Sequence, residues 1–197
     1  MPRGGEARFK GRLGIGLRKA TKEILAAEGR DRDRFLAALP EELRGPLTER
    51  YVATVWYPTA PMESLFAHMA KELGAEPEAF ARRLGATTVN ASAGPMGRSL
   101  IALIATPPRL AKYANTVWRQ LHDEGRLDAR FDRAEGRLVA ESSGWSSHGP
   151  LTCLTTLGSM EAIAERMRGY EFTSSERETC VSAGSATCRL VLRFRRT

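Results

Sequence analysis

Three cysteines and a glutamate carry the most specific spacing in the chain. In "ETCVSAGSATCRLVLRF", residues 178–194, Cys180 and Cys188 stand symmetrically about Gly184. If Gly184 centres a hairpin turn, the two cysteines lie directly opposite each other, with Cβ atoms about 4.5–5.5 Å apart on one face of a sheet. Two thiolates so placed could share one tetrahedral zinc ion, whose Zn–S bonds are about 2.3 Å. Strict alternation along the strand puts Glu178 on the face of Cys180. Cys153, on a helix just upstream, could supply a third thiolate. Three thiolates and one carboxylate would close a structural site with no position left for substrate. The alternative is that all three are small buried hydrophobes, as free cysteines often are. The spacing C-x7-C also lacks the tight knuckle of common zinc modules. A disulfide framework is the weaker reading, because three is an odd number and a cytoplasmic chain keeps its thiols reduced.

The other chemistry-bearing residues are sparser. His122 closes a helix in "RQLHDEG", where interaction with the last-turn carbonyls is the common role. His68 flanks an apolar helical face at the core boundary. "GWSSHGP" is only loosely a nucleophile elbow: Gly144-Trp-Ser-Ser-His-Gly149 is not Gly-x-Ser-x-Gly, and no histidine follows His148. Gly14-Ile-Gly16 without a third glycine or a preceding strand is a weak phosphate-loop signal. No carboxylate pair stands out for acid–base work, so an enzyme is not expected.

These residues must be positioned by a chain of 197 residues with 42% hydrophobic content, the size of one ordinary domain. The first two thirds read as helices: Ile15 to Ala27, Asp31 to Leu39, a start at Glu41-Glu42, and Met62 to Leu73 after the proline-broken "VWYPTAP". Another helix opens at Pro77, is interrupted by "ASAGPMG" at 91–97, and resumes as "RSLIALIA". Thr106-Pro107 reads as an N-cap with proline at N1, followed by the stripe Leu110, Ala114, Val117, Trp118 and Leu121. At Gly125 the period changes from 3.6 to 2. "RLDARFD" and "RLVAESS" form a hairpin about Glu135-Gly136, a helix runs from about Leu151 to Met167, and two strands follow, near 171–182 and 187–195. The expected class is α+β: amino-terminal helices on a roughly four-stranded antiparallel sheet, in the order helices, hairpin, helix, hairpin. Residues 1–197 are expected to form a single domain, 1–60 being a helical extension packed on a ligand-binding fold over 61–197.

Net charge is +7, carried by 25 Arg against 5 Lys. The arginines are scattered in singles and pairs along acid-rich helices, without the basic block or aromatic interleaving of a nucleic-acid footprint. No nucleic-acid partner is expected, whereas an acidic protein or anionic ligand stays open. No apolar run approaches the roughly 20 residues that cross a bilayer, and no leader is evident, so a soluble cytoplasmic protein is expected without membrane insertion.

The carboxyl-terminal half resembles the 4-vinyl-reductase-like domains, relatives of H-NOX gas sensors and of small subunits of the transport-protein-particle (TRAPP) tethering complex. The resemblance is carried by "SSHGPLTCLTTLGSMEAIAERMRGYEF" and "SERETCVSAGSATCRLVLRF", over roughly 100–197. "VWYPTAP" is similar to the "WYP" that a group of uncharacterised bacterial proteins places before a helix pair. The resemblance implies a structural zinc on Cys153, Cys180 and Cys188. The family glutamate, three residues before the first hairpin cysteine, is Arg177 here, so Glu178 or Glu176 would substitute. It also implies a haem test at His122. The Tyr-x-Ser-x-Arg motif that holds haem propionates is missing, with "YEFTSSER" at the wrong spacing, and no haem is expected.

Two functions follow from the resemblance. One is a non-enzymatic sensing or binding module for a hydrophobic small molecule, stiffened by zinc and signalling through a protein partner, with a homodimer open to it. The other is a ligand-free scaffold or adaptor, as in TRAPP subunits. The sensor needs an apolar cavity, assigned to Met62, Phe66, Met69, Leu100, Leu103, Val117, Trp118 and Leu121, with Gly94-Pro95 and Gly97 as its hinge.

Overall fold

The computed structural model of the chain describes residues 7–59 and 61–197, with the backbone alone over 93–104. Strand β1 (Arg8–Lys10) leads into α1 (Gly11–Ala27), α2 (Arg32–Ala38) and α3 (Glu41–Thr48). Strand β2 (Trp56–Pro58) precedes α4 (Met62–Glu72), α5 (Pro77–Ile104) and α6 (Pro107–Leu121). Then come the hairpin β3 (Arg126–Asp132) and β4 (Arg137–Ser143), the helix α7 (Pro150–Ala164), and the strands β5 (Tyr170–Thr179) and β6 (Cys188–Arg196). The class is α+β, with a four-stranded antiparallel sheet in the order β3-β4-β6-β5.

Local chemistry accounts for several boundaries. The Asp31 carboxylate accepts a hydrogen bond from the Arg34 amide at 2.8 Å and starts α2. Gly136 and Gly184 turn with φ of +60° and +87°, in the left-handed region that side chains resist. Thr106 precedes α6 with extended backbone and Pro107 behind it, but its hydroxyl makes no cap bond. Two expectations change. "VWYPTAP" is not only a break: Trp56–Pro58 pairs antiparallel with Arg8–Lys10 in a second, two-stranded sheet. And α5 runs unbroken through 91–97, so the expected interruption is absent from the backbone. Pro95 forfeits one hydrogen bond, a cost that a 28-residue helix absorbs.

Helix α7 lies at the centre, with buried residues on all sides: Leu151, Cys153, Leu154, Leu157, Met160, Ala162 and Ala164. It packs on α5 and α4 and against β5 and β6, while α6 lies against β3 and β4 and α1 against α5. Where α5 and α7 cross, glycine is required on both sides. A Cβ on Gly85 would collide with the Thr155 carbonyl, and one on Gly158 with the Arg82 carbonyl. Ser159 Oγ donates to the Gly85 carbonyl at 3.1 Å, and Arg82 pairs with Glu161 and bonds Ser175 beside it. Gly14 and Gly16 serve the same purpose in α1, facing the Tyr51 ring and the Thr88 and Ser92 side chains, and form no phosphate loop.

Gly158→Ala is expected to lower unfolding free energy by about 1–3 kcal/mol in urea titration, since an overpacked core must shift backbone. Gly45→Ala, within α3 with open space around the new methyl group, is expected to be neutral or stabilising by up to about 1 kcal/mol. Equal effects of the two would remove the close crossing as their cause.

Candidate metal and ligand site

The last hairpin brings Cys180 and Cys188 together by the expected register. Thr179 pairs with Arg189, and a 3-10 turn over Val181–Ala183 ends at Gly184. Cys153 comes from the first turn of α7, where its amide bonds the Gly149 carbonyl at 3.0 Å. The turn is held from outside by Glu63 of α4, whose two carboxylate oxygens accept from the Leu151 and Thr152 amides at 2.9 and 3.0 Å. Those are amides a helix leaves unpaired, so Glu63 acts as a cap delivered by another helix.

The fourth corner is His148. Its Nε2 lies 2.6 Å from the Cys188 sulfur, and the ligand atoms of His148, Cys153, Cys180 and Cys188 all fall within 4.8 Å of one another. A metal–sulfur bond of about 2.3 Å sets neighbouring donors of a tetrahedron about 3.8 Å apart, which this spacing accommodates. All three cysteines are free and buried.

Glu178 is not brought to the cluster. A bulge between Arg177 and Thr179 breaks the alternation on which its placement relied. Its carboxylate turns to the outer face, bonding Arg137 at 2.5 Å and approaching Arg189 at 3.8 Å. Glu176 likewise pairs with Arg193 at 2.8 Å. Arg177 instead faces inward, donating to the Pro150 carbonyl at 2.8 Å and to Glu78 at 2.7 Å. The signal for His148 was present as His-x4-Cys, a loop histidine entering the helix that carries Cys153, but it was read only as part of a failed nucleophile motif.

Electrostatics favour a thiolate at Cys188. Hydrogen bonding from Cys153 holds its pKa well below the ordinary thiol range, at about 4, with His148, Cys180 and the Val181 amide adding donors against the opposing effect of burial. Cys153 is pushed up by that same shared proton and by burial, with Arg177 pulling the other way. One thiol thus keeps the proton that its neighbour gives up, and soft sulfur donors with one imidazole make a set suited to a thiophilic divalent ion.

A second cluster adjoins the first. His122 stacks on Trp118 at 4.1 Å between ring centres, and Trp145 stands edge-on to both at 5.1 Å. Trp145 also meets His148 at 5.7 Å. Burial holds His122 neutral, its pKa lowered to about 4, against a weaker opposing pull from Asp123. His122 Nδ1, Trp145 Nε1 and His148 Nδ1 are all buried without a hydrogen-bond partner among the described residues. Trp118 Nε1 donates to the Glu124 carbonyl at 3.0 Å. His68 is separate, with Nδ1 on the Ser64 carbonyl of its own helix.

The residues assigned to a cavity divide between two places. Met62, Phe66 and Met69 are buried on α4, which packs on α5 and α7, while Trp118 is buried on α6 against the sheet. Val117 is 50% exposed and lines no interior, and Leu121 is partly exposed. The Leu100 and Leu103 side chains lie outside the described residues, and at the expected Gly94-Pro95-Gly97 hinge the backbone is continuous helix.

No protein-family model matches the sequence, and no curated protein matches it. Solved structures do. An H-NOX protein from S. oneidensis in its Fe(II)NO state matches with a TM-score of 0.65 at 14% identity, covering 94% of this chain and 99% of that one. Fe(II) unliganded H-NOX from K. algicida matches at 0.64 and 11% identity, over 95% and 97%. A structure from work on haem redox potential and porphyrin distortion matches at 0.59 and 12%, over 94% and 99%.

The fold is H-NOX-like. Of the resemblances drawn from the sequence, the one to H-NOX domains is therefore supported, and the 4-vinyl-reductase and TRAPP resemblances gain nothing from these matches. The cofactor expectation, structural zinc and no haem, is corrected by them: the two H-NOX neighbours are described by their iron state and the third by its haem, and none by zinc. Tested on this chain's own residues, His122 is the imidazole that could hold a haem. Its imidazole is neutral, stacking by Trp118 is on the ring face and not at the ring nitrogens, and its buried Nδ1 has no hydrogen-bond partner among the described residues.

Because the folded pKa of His122 lies below the usual 6.5, its neutral burial stabilises the fold fully above pH 6.5. That stability is lost as pH falls towards 4, since only the unfolded chain then binds the proton. Denaturation at pH 7 and pH 4.5 is expected to show this loss in the wild type and a smaller one in His122→Phe. An identical pH dependence in both would remove His122 as its source.

Proposed function

We propose that the chain is a non-enzymatic small-molecule sensing module of the H-NOX-like fold, signalling through a protein partner. His122 would hold a haem, whose iron would receive the small-molecule ligand. The observation that carries this reading is the buried, neutral imidazole of His122, its Nδ1 without a partner among the described residues, in a fold whose solved neighbours include H-NOX proteins with Fe(II). Haem would supply an iron that binds a diatomic or similarly small ligand. The chain's own contribution is to keep the imidazole unprotonated, hold its plane with Trp118 and Trp145, and exclude water around it. The Tyr170, Ser175 and Arg177 of "YEFTSSER" do not anchor propionates in this arrangement, since Ser175 bonds Glu161 and Arg177 bonds Glu78.

Within this module we assign the four donors His148, Cys153, Cys180 and Cys188 to a thiophilic divalent ion that ties α7 to the last hairpin. Three thiolates and a neutral imidazole around such an ion leave one negative charge, and Arg177 is the cation beside it. The scaffold reading keeps one observation in its favour: Met62, Phe66, Met69 and Trp118 are buried among core residues.

Haemin titrated into the purified full chain is expected to give a saturable Soret band that shifts with carbon monoxide after reduction and is lost in His122→Ala. A titration without a saturable band would leave the scaffold reading in place. Elemental analysis of untagged protein is expected to give one divalent transition-metal ion per chain, and chelation to lower the melting temperature, because the ion's binding energy adds to that of folding. His148→Ala is expected to weaken metal binding by about tenfold or more, whereas Glu178→Gln leaves it unchanged.

A further inference from the structure

At the end of the sheet away from the cysteines lies a cavity of about 360 Å³ that none of the preceding functions uses. It is separated from Cys188 by six residues of β6, about 20 Å of extended chain. Its apolar floor is made of Phe131, Tyr170 and Phe194, one ring from each of three strands. Their centres are 5.8, 6.2 and 6.3 Å apart and all three pairs meet edge to face. The rim carries Arg133, Arg195 and Arg196, with Glu135 as the one acidic lining residue.

The charge at this rim differs from that of the rest of the sheet. On the outer face Arg126, Arg137, Arg189 and Arg193 each pair with a carboxylate, at 2.5–3.0 Å. Arg195 shares Glu171. The side chains of Arg133 and Arg196 have no ion pair or hydrogen bond among the described residues, and both residues are exposed at the cavity mouth. The rim is also preformed. Gly136, at φ +60°, presses so closely on β6 that a Cβ there would collide with the Phe194 carbonyl, and its own carbonyl accepts the Phe194 amide at 2.7 Å. A fixed turn, an aromatic floor and two uncompensated guanidiniums form a concave site of the size that holds small organic ligands.

We propose that this cavity binds an amphipathic organic carboxylate, its apolar body on the Phe131, Tyr170 and Phe194 rings and its anionic end between Arg133 and Arg196. Two-dimensional NMR of the full chain titrated with 2-naphthoate tests this, with uncharged 2-naphthalenemethanol as the comparison probe. Expected are saturable shifts of the Phe131, Tyr170 and Phe194 ring signals with naphthoate, and binding weaker by about tenfold in the Arg133→Gln/Arg196→Gln double variant. Both arginines are exposed, so the variant is expected to keep the wild-type spectrum elsewhere. Naphthoate shifts confined to other residues, equal binding of the alcohol, or equal binding by the double variant would each overturn the proposal. None of these readouts depends on haem or on the thiol centre.

Discussion

The contact on which the rest of this structure depends is the backbone approach of α5 and α7 at Gly85 and Gly158. With no side chain on either glycine, each helix backbone meets a carbonyl of the other, Thr155 in one case and Arg82 in the other. That proximity fixes α7 between the helical layer and the sheet. Because α7 is buried on all sides, its position sets where Cys153 stands relative to β6 and where Glu63 can reach the first turn. The ion pair of Arg82 with Glu161, joined by Ser175 of β5, extends the same contact into the sheet. Displacing α7 would therefore alter packing, helix capping and the thiol cluster together.

The two faces of the sheet solve different problems. Inward, Leu127, Leu138, Ala140, Leu190, Leu192 and Phe194 join the main core with α6 and α7. Outward, Val139 and Val191 are buried although they stand apart from that core. A lattice of Arg–Glu pairs surrounds them, the long aliphatic stems covering apolar surface while the charged ends meet water. Exposed pairs of this kind contribute little each, so the lattice is better understood as a cover that neutralises arginine than as a source of stability. Its incompleteness at Arg133 and Arg196 gives the far end of the sheet its anion-seeking character.

The histidines divide by environment more than by sequence position. His68 satisfies a carbonyl of its own helix, His148 closes the cysteine cluster, and His122 is held neutral among indoles. Trp145 touches both of the latter, so the thiol centre and the His122 imidazole share one aromatic wall. The first strand belongs to the same region: Phe9 bridges to His122 and Arg8 pairs with Asp123 at 2.7 Å.

The sequence by itself determined the α+β class, the hairpin β3–β4 to the residue, the start of α7 to within one residue though not its end, which falls at Ala164 and not Met167, and the opposition of Cys180 to Cys188. Each rests on local rules: alternation of period 2, a glycine where φ must be positive, and helical spacing of apolar residues. Four matters were decided only by tertiary structure. A one-residue bulge, invisible to strict alternation, sent Glu178 to the arginines outside and left the fourth corner to His148. Proline and glycine at 94–97 read as a break, yet the backbone of α5 continues, because a 28-residue helix keeps the rest of its hydrogen-bond ladder when one bond is lost. Val117 sat on a plausible stripe but faces water, since α6 buries only the edge that meets the sheet. The pairing of Trp56–Pro58 with Arg8–Lys10 joins segments nearly fifty residues apart, and no local pattern encodes a partner at that distance.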